Sequence, residues 1–168
     1  MRWSELSPDL TLWTLPRERT KNSTKHQVPL APWARSILAN LPRVNGSDFV
    51  FTTTGRTSIN NHARAKLAID AAVASLNGGK PISSWTFHDI RRSAATSMAR
   101  LGVQLPVVEK ILNHTGSSFG GVAGIYQRHD FADEKRAALE CWARHLSTLD
   151  LVGGVPETSR NPVSHALA

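Results

Sequence analysis

One cysteine, one tyrosine, two methionines and few acidic residues mark what this chain of 168 residues does without. The lone Cys141 has no partner for an intrachain disulfide and leaves no cysteine framework for zinc, so it reads as a small side chain on a helix. No run of about 18 apolar residues is present to form a membrane-spanning helix, and no basic amphipathic stretch stands apart to lie on a membrane surface. The opening Met1-Arg2-Trp3-Ser4-Glu5 lacks the basic start and apolar run of a secretory signal, which predicts a cytoplasmic protein. The shortage of acids has the widest consequence. Asp and Glu number 13 against 20 Lys and Arg, giving a net charge of +7 and an isoelectric point near 10.3. Such a balance favours a polyanionic partner, nucleic acid first.

The length suits one domain with its own core. Its expected extent is residues 1–150, and the Gly-, Pro-, Ser- and Asn-rich residues 151–168 read as a disordered tail. The pattern of elements predicts an α+β class, mostly α, with a small antiparallel β-hairpin near the N-terminus. Residues 11–16 and 26–30 read as its two strands, and 49–51 (Phe-Val-Phe) as a third short strand. The hairpin tip is basic: between positions 17 and 35 stand Arg17, Arg19, Lys21, Lys25 and Arg35 against the single acid Glu18.

Pro32 opens a helix carrying Trp33, Ile37, Leu38 and Leu41 on one face, which Pro42 closes. An Ala-rich helix runs from about Asn60 to Leu76 and stops at Gly78-Gly79. Thr86 and Asp89 stand at capping-box spacing before a helix whose expected core stripe is Phe87, Ile90, Ala94, Met98 and Leu101. Gly102 ends it, and Pro106 starts a further helix with Val107, Val108, Ile111 and Leu112. A Gly-rich passage from Gly116 to Gly124 leads to Ile125-Tyr126, and a last helix is expected from about Asp133 to Leu149.

Chemistry concentrates in a few positions. In His88-Asp89-Ile90-Arg91 the three-residue spacing sets an imidazole and a guanidinium side by side near a helix start, where the amide dipoles also favour an anion. Leu112-Asn113-His114 follows 23 residues after Arg91, and Tyr126 stands 12 residues after His114. This order, together with Thr86-Phe-His-Asp-Ile-Arg-Arg-Ser-Ala-Ala-Thr96 and Gly124-Ile-Tyr-Gln-Arg-His129, resembles the tyrosine recombinase, or phage integrase, family. Upstream, Arg19-Thr20-Lys21-Asn22 and His26-Gln27-Val28-Pro29-Leu30 look like that family's β-hairpin with its catalytic lysine. The resemblance spans roughly residues 2 to 147.

The resemblance implies metal-independent strand exchange on double-stranded DNA, with no cofactor. Tyr126 is implied as the nucleophile that takes the 3′ end as a phosphotyrosyl ester, and Arg91 as the bidentate grip on the nonbridging oxygens. His88 hydrogen-bonds the phosphate or accepts the tyrosine proton, His114 is a further donor, and Lys21 protonates the departing 5′ oxygen, with Lys25 as a possible substitute. Arg19, Lys25, Arg92 and Arg128 are read as DNA contacts. Relatives acting as homo-tetramers on paired sites raise the question of whether the last helix completes its own core or docks on a neighbouring protomer.

Two departures stand out. Asn113 replaces the glycine commonest before the histidine, a change that a left-handed helix end tolerates. A first catalytic arginine and a DNA-clamping N-terminal domain, which the family carries upstream, are not among the 168 residues; the expectation is a fragment weakly active or inactive alone. Two rival readings are weighed: a nonenzymatic helix-turn-helix module built on residues 86–113, and a type IB topoisomerase with similar Tyr, Arg, His and Lys chemistry.

Overall fold

The structure is a computed structural model and describes residues 1–60, 62–114 and 130–150. A 3-10 turn at Trp3–Glu5 leads to strand β1 (Leu12–Leu15), a second 3-10 turn at Arg17–Arg19 and strand β2 (His26–Pro29). Five α-helices follow among the described residues: α1 (Pro32–Ala39), α2 (His62–Leu76), α3 (Phe87–Arg100), α4 (Leu105–Ile111) and α5 (Ala132–Asp150). The mostly helical, hairpin-bearing class matches the expectation from sequence.

The two strands form an antiparallel pair, Leu12 opposite Pro29 and Leu15 opposite His26. Their connection is stapled from within. Thr20 Oγ1 donates to the Thr24 carbonyl at 2.8 Å and accepts from the Thr24 amide at 3.1 Å. At the base, the buried carboxylate of Glu5 accepts from the Arg2 amide at 2.9 Å and from Trp13 Nε1 at 3.1 Å, and it pairs with Arg19. Burial opposes the ionised form of Glu5, yet these donors prevail and hold its pKa below the ordinary carboxylate value. The third strand expected over 49–51 is not formed; Phe49 makes only an isolated bridge to Arg2. The short segment is instead tied to the first turn, through Trp3 N to Asp48 O at 2.8 Å and Val50 N to Met1 O at 3.2 Å.

Helix α3 starts where the capping box predicts. The Asp89 carboxylate accepts from the Thr86 amide at 2.9 Å, and Thr86 Oγ1 accepts from the Asp89 amide at 3.3 Å, so two orphan donors are satisfied reciprocally. It ends in a Schellman motif at Gly102, which has a φ of 84°. There Val103 N reaches Met98 O and Gly102 N reaches Ala99 O, both at 3.0 Å.

The core is small: Leu38 of α1, Val50, Met98 of α3, Val107 and Val108 of α4, and Ala138 of α5 are buried. Full burial of side chains such as Met98 and Val108 contributes roughly 1.5–3 kcal/mol each. The expected α3 stripe is only partly a core stripe. Met98 is buried, whereas Phe87, Ile90 and Leu101 are exposed, as are Trp33 and Ile37 of α1. Helix α2 buries no residue; Trp85 Nε1 donates to Asp70 at 2.8 Å, Lys66 bonds the same carboxylate at 2.6 Å, and Lys66 lies over the Trp85 ring.

Helix α5 packs against α4, β2, α3 and α1 of its own chain. Its Lys135 is buried at 3% exposure and donates to the Gln27 carbonyl of β2 at 3.1 Å and to Asp130 at 3.3 Å. A buried ammonium is costly unless it is hydrogen-bonded, so this one fastens the C-terminal helix to the hairpin.

Candidate functional site

Helix α4 ends in a second Schellman motif, built on a residue that is not glycine. Asn113 adopts a φ of 52°; its amide reaches Lys110 O at 3.2 Å while the His114 amide reaches Glu109 O at 3.0 Å. Asparagine is among the few residues that tolerate this left-handed geometry, so the departure from glycine costs the turn little.

The last turn of α4 carries carbonyls without intrahelical partners, and these gather the other elements. The Arg91 guanidinium of α3 donates to Leu112 O. His26 of β2 donates through Nε2 to Ile111 O at 3.2 Å. Asn22 Nδ2, beside Lys21, donates to Asn113 Oδ1 at 2.9 Å. His114 donates through Nδ1 to the Glu109 carboxylate at 2.9 Å, which leaves Nε2 as the ring nitrogen for a ligand.

Around this helix end lies an open cleft of about 820 Å³, lined among others by Lys21, His88, Arg91 and His114. Four of the five catalytic candidates drawn from the sequence, contributed by the hairpin loop, α3 and the end of α4, thus border one cavity. Tyr126 and Arg128 lie outside the described residues. Of the expected DNA contacts, Arg19 also borders the cleft, but its guanidinium is engaged by Glu5. Arg92 lies on a different groove of α3, 3.4 Å from Asp89, and Lys25 is exposed on the hairpin connection outside the cleft lining. Among the described residues no three His, Cys, Asp or Glu side chains cluster as a metal centre needs, and no helix is long and apolar enough to cross a membrane.

Sequence reasoning did not single out His26, Asn22 or Glu109 as site residues. Asn22 and His26 stood in the hairpin segments that carry the resemblance, and Glu109 lies close before the His114 turn, but none had a role attached.

Burial is the largest influence on His26 and lowers its pKa; Lys135 and Arg91 act in the same direction, while the Ile111 carbonyl and Asp130 oppose it. A base whose folded pKa lies below its ordinary value of 6.5 contributes stability above that pH. This contribution falls as acidification lets the unfolded chain take up a proton that the folded His26 resists. Between about pH 7.5 and about pH 5.5 the melting temperature of the parent should therefore drop further than that of His26→Gln. Parallel curves for the two proteins would remove His26 as the titrating group.

Residues 1–132 match the phage integrase family, and the chain belongs to it. It is similar to the prophage integrase IntA of Escherichia coli K12, 27% identical over 166 residues, a match covering 90% of this chain and 38% of that protein. The protein IntB of the same organism is 26% identical over 162 residues, covering 86% of this chain and 39% of its own length. The chain thus spans about two fifths of the length of these relatives. No solved structure matches it significantly.

Proposed function

We propose that the chain carries the strand-transfer centre of a site-specific DNA recombinase working through a 3′-phosphotyrosyl intermediate. The observation that carries this reading is the convergence of Lys21, His88, Arg91 and His114 on one cleft in a basic protein of the integrase family. The Tyr126 oxygen attacks the scissile phosphorus, the bond to the 5′ oxygen breaks, and the phenol's proton passes to His88. Arg91 and His114 donate to the nonbridging oxygens as charge builds on them, and Lys21 gives its proton to the leaving 5′ oxygen. No step in this sequence calls on a metal. Bond energy is retained in the ester, so the strand can be rejoined to a different 5′ end. Lys25, Arg92 and Arg128 add charge along the duplex, whereas the Arg19 charge is taken up by Glu5, and the whole protein works as a tetramer on paired sites.

The helix-turn-helix reading has less support. The second helix, α4, has only seven residues, buries Val107 and Val108, and spends its end on the cleft. A helix placed in a major groove needs a free face.

The test is covalent capture on a nicked duplex, from which the cleaved end diffuses away and rejoining is prevented. The further arginine expected from the family is not among these residues. Loss of one such donor slows the reaction by about two to three orders of magnitude, so slow but accumulating adduct is expected. Capture at the rate of a complete enzyme would refute the weak activity. No adduct after long incubation at saturating DNA would refute strand transfer by this chain.

A further inference from the structure

The hairpin connection that carries Lys21 is fastened to the turn that carries His114. Asn22 uses both ends of its side-chain amide. Its Oδ1 accepts from the Thr24 amide at 3.3 Å, which shapes the connection, and its Nδ2 donates to Asn113 Oδ1 at 2.9 Å, across 91 residues of sequence. Asn113 likewise does two things: its backbone makes the left-handed turn, and its side chain supplies the acceptor. A glycine in the same place would make the turn and offer no acceptor. Three further ties limit how far the hairpin moves: Arg19 to Glu5, His26 to Ile111 O and Lys135 to Gln27 O. The first holds the connection to the N-terminal turn and the other two lie on β2, so the Asn22–Asn113 bond is the tie to the end of α4 that lies nearest Lys21.

We infer that Asn22 and Asn113 form a latch that holds Lys21 at the cleft, making both of them positioning residues for the proton donor. The inference rests on the role proposed for Lys21, and the latch itself is testable without it. A neutral hydrogen bond of this kind shifts a local closed-to-open equilibrium by about fivefold.

The first measurement is limited trypsin digestion of the full chain, with cuts after Lys21 and Lys25 timed by mass spectrometry. Asn113→Gly keeps the turn, removes the acceptor and leaves the residues around the cut sites untouched. It should speed these cuts by about fivefold while leaving the global melting temperature nearly unchanged. Asn113→Asp keeps an acceptor oxygen and tolerates the same φ, so it should digest at the parent's rate. Asn113→Gly digesting no faster than the parent would overturn the latch, as would equal acceleration by both variants.

The second measurement separates the latch from the role of Lys21. On a nicked duplex with sulfur at the bridging 5′ position, the leaving thiolate needs no proton. Lys21→Ala should lose capture on ordinary DNA and regain it on the sulfur substrate, and Asn113→Gly should show the same selectivity in smaller measure. If Lys21→Ala is equally slow on both, the proton-donor role fails while the digestion result still decides the latch. If Lys21→Ala is rescued and Asn113→Gly is slowed equally on both substrates, the positioning role fails.

Discussion

Tyr126→Phe will leave no covalent protein–DNA adduct on a nicked duplex, while its affinity for the same duplex stays within about twofold of the parent's. The substitution removes one oxygen and keeps the ring. That oxygen is the proposed nucleophile, and the chain holds no second tyrosine to stand in for it. Affinity should survive because phosphate contacts made by lysines and arginines dominate binding, and the net charge of +7 is unaltered. Tyr126 lies outside the described residues, so the expectation rests on its chemical type, its interval from His114 and the family to which the chain belongs. Denaturing gels report the adduct, and anisotropy at fixed salt reports binding. Adduct persisting in the variant would place the nucleophile elsewhere and end the phosphotyrosyl reading.

Arg91→Ala should slow capture by about two to three orders of magnitude, because the proposed phosphate donor, planar and permanently charged, is lost. The same guanidinium also donates to Leu112 O, so part of the effect will be structural. Magnitudes separate the two contributions. A hydrogen bond from a charged donor contributes about 1.5–3 kcal/mol to stability in favourable cases and less at an exposed position. Arg91 is exposed, so its loss should lower the melting temperature only slightly. A hundredfold rate loss corresponds to about 2.7 kcal/mol on the barrier, expressed only when charge develops on the phosphate. Arg91→Lys, which keeps the charge without the fork, should fall between parent and alanine variant. A rate loss matched by an equal loss of stability would mean that Arg91 merely holds α4 in place.

Helix α3 was legible because its start and stop are chemical: Thr86 and Asp89 satisfy each other's amides, and Gly102 takes a backbone angle that few other residues accept. Asn113 was legible for the same reason. Burial was less so. Periodicity picks out the apolar face of a helix without saying what lies against it, which is why Met98 is covered while Phe87, Ile90 and Leu101 on the same stripe are not. The segment 49–51 has strand-forming residues, yet with only Arg2 as a bridge partner it builds no ladder. Spacing placed His88 beside Arg91 because one helix carries both. It was silent on His26 and Asn22, whose partners Ile111 and Asn113 lie 85 and 91 residues away.

Anyone trimming this protein from its C-terminal side meets a hard boundary at Lys135, whose ammonium reaches forward across the fold to the strand that ends the hairpin. Removing the last helix takes away the Lys135 strut from α5 to β2, so the smallest unit able to present Lys21 includes a segment more than a hundred positions downstream of it. A fragment cut just after His114 would retain every described group that borders the cleft and still lose the frame that keeps them facing one another.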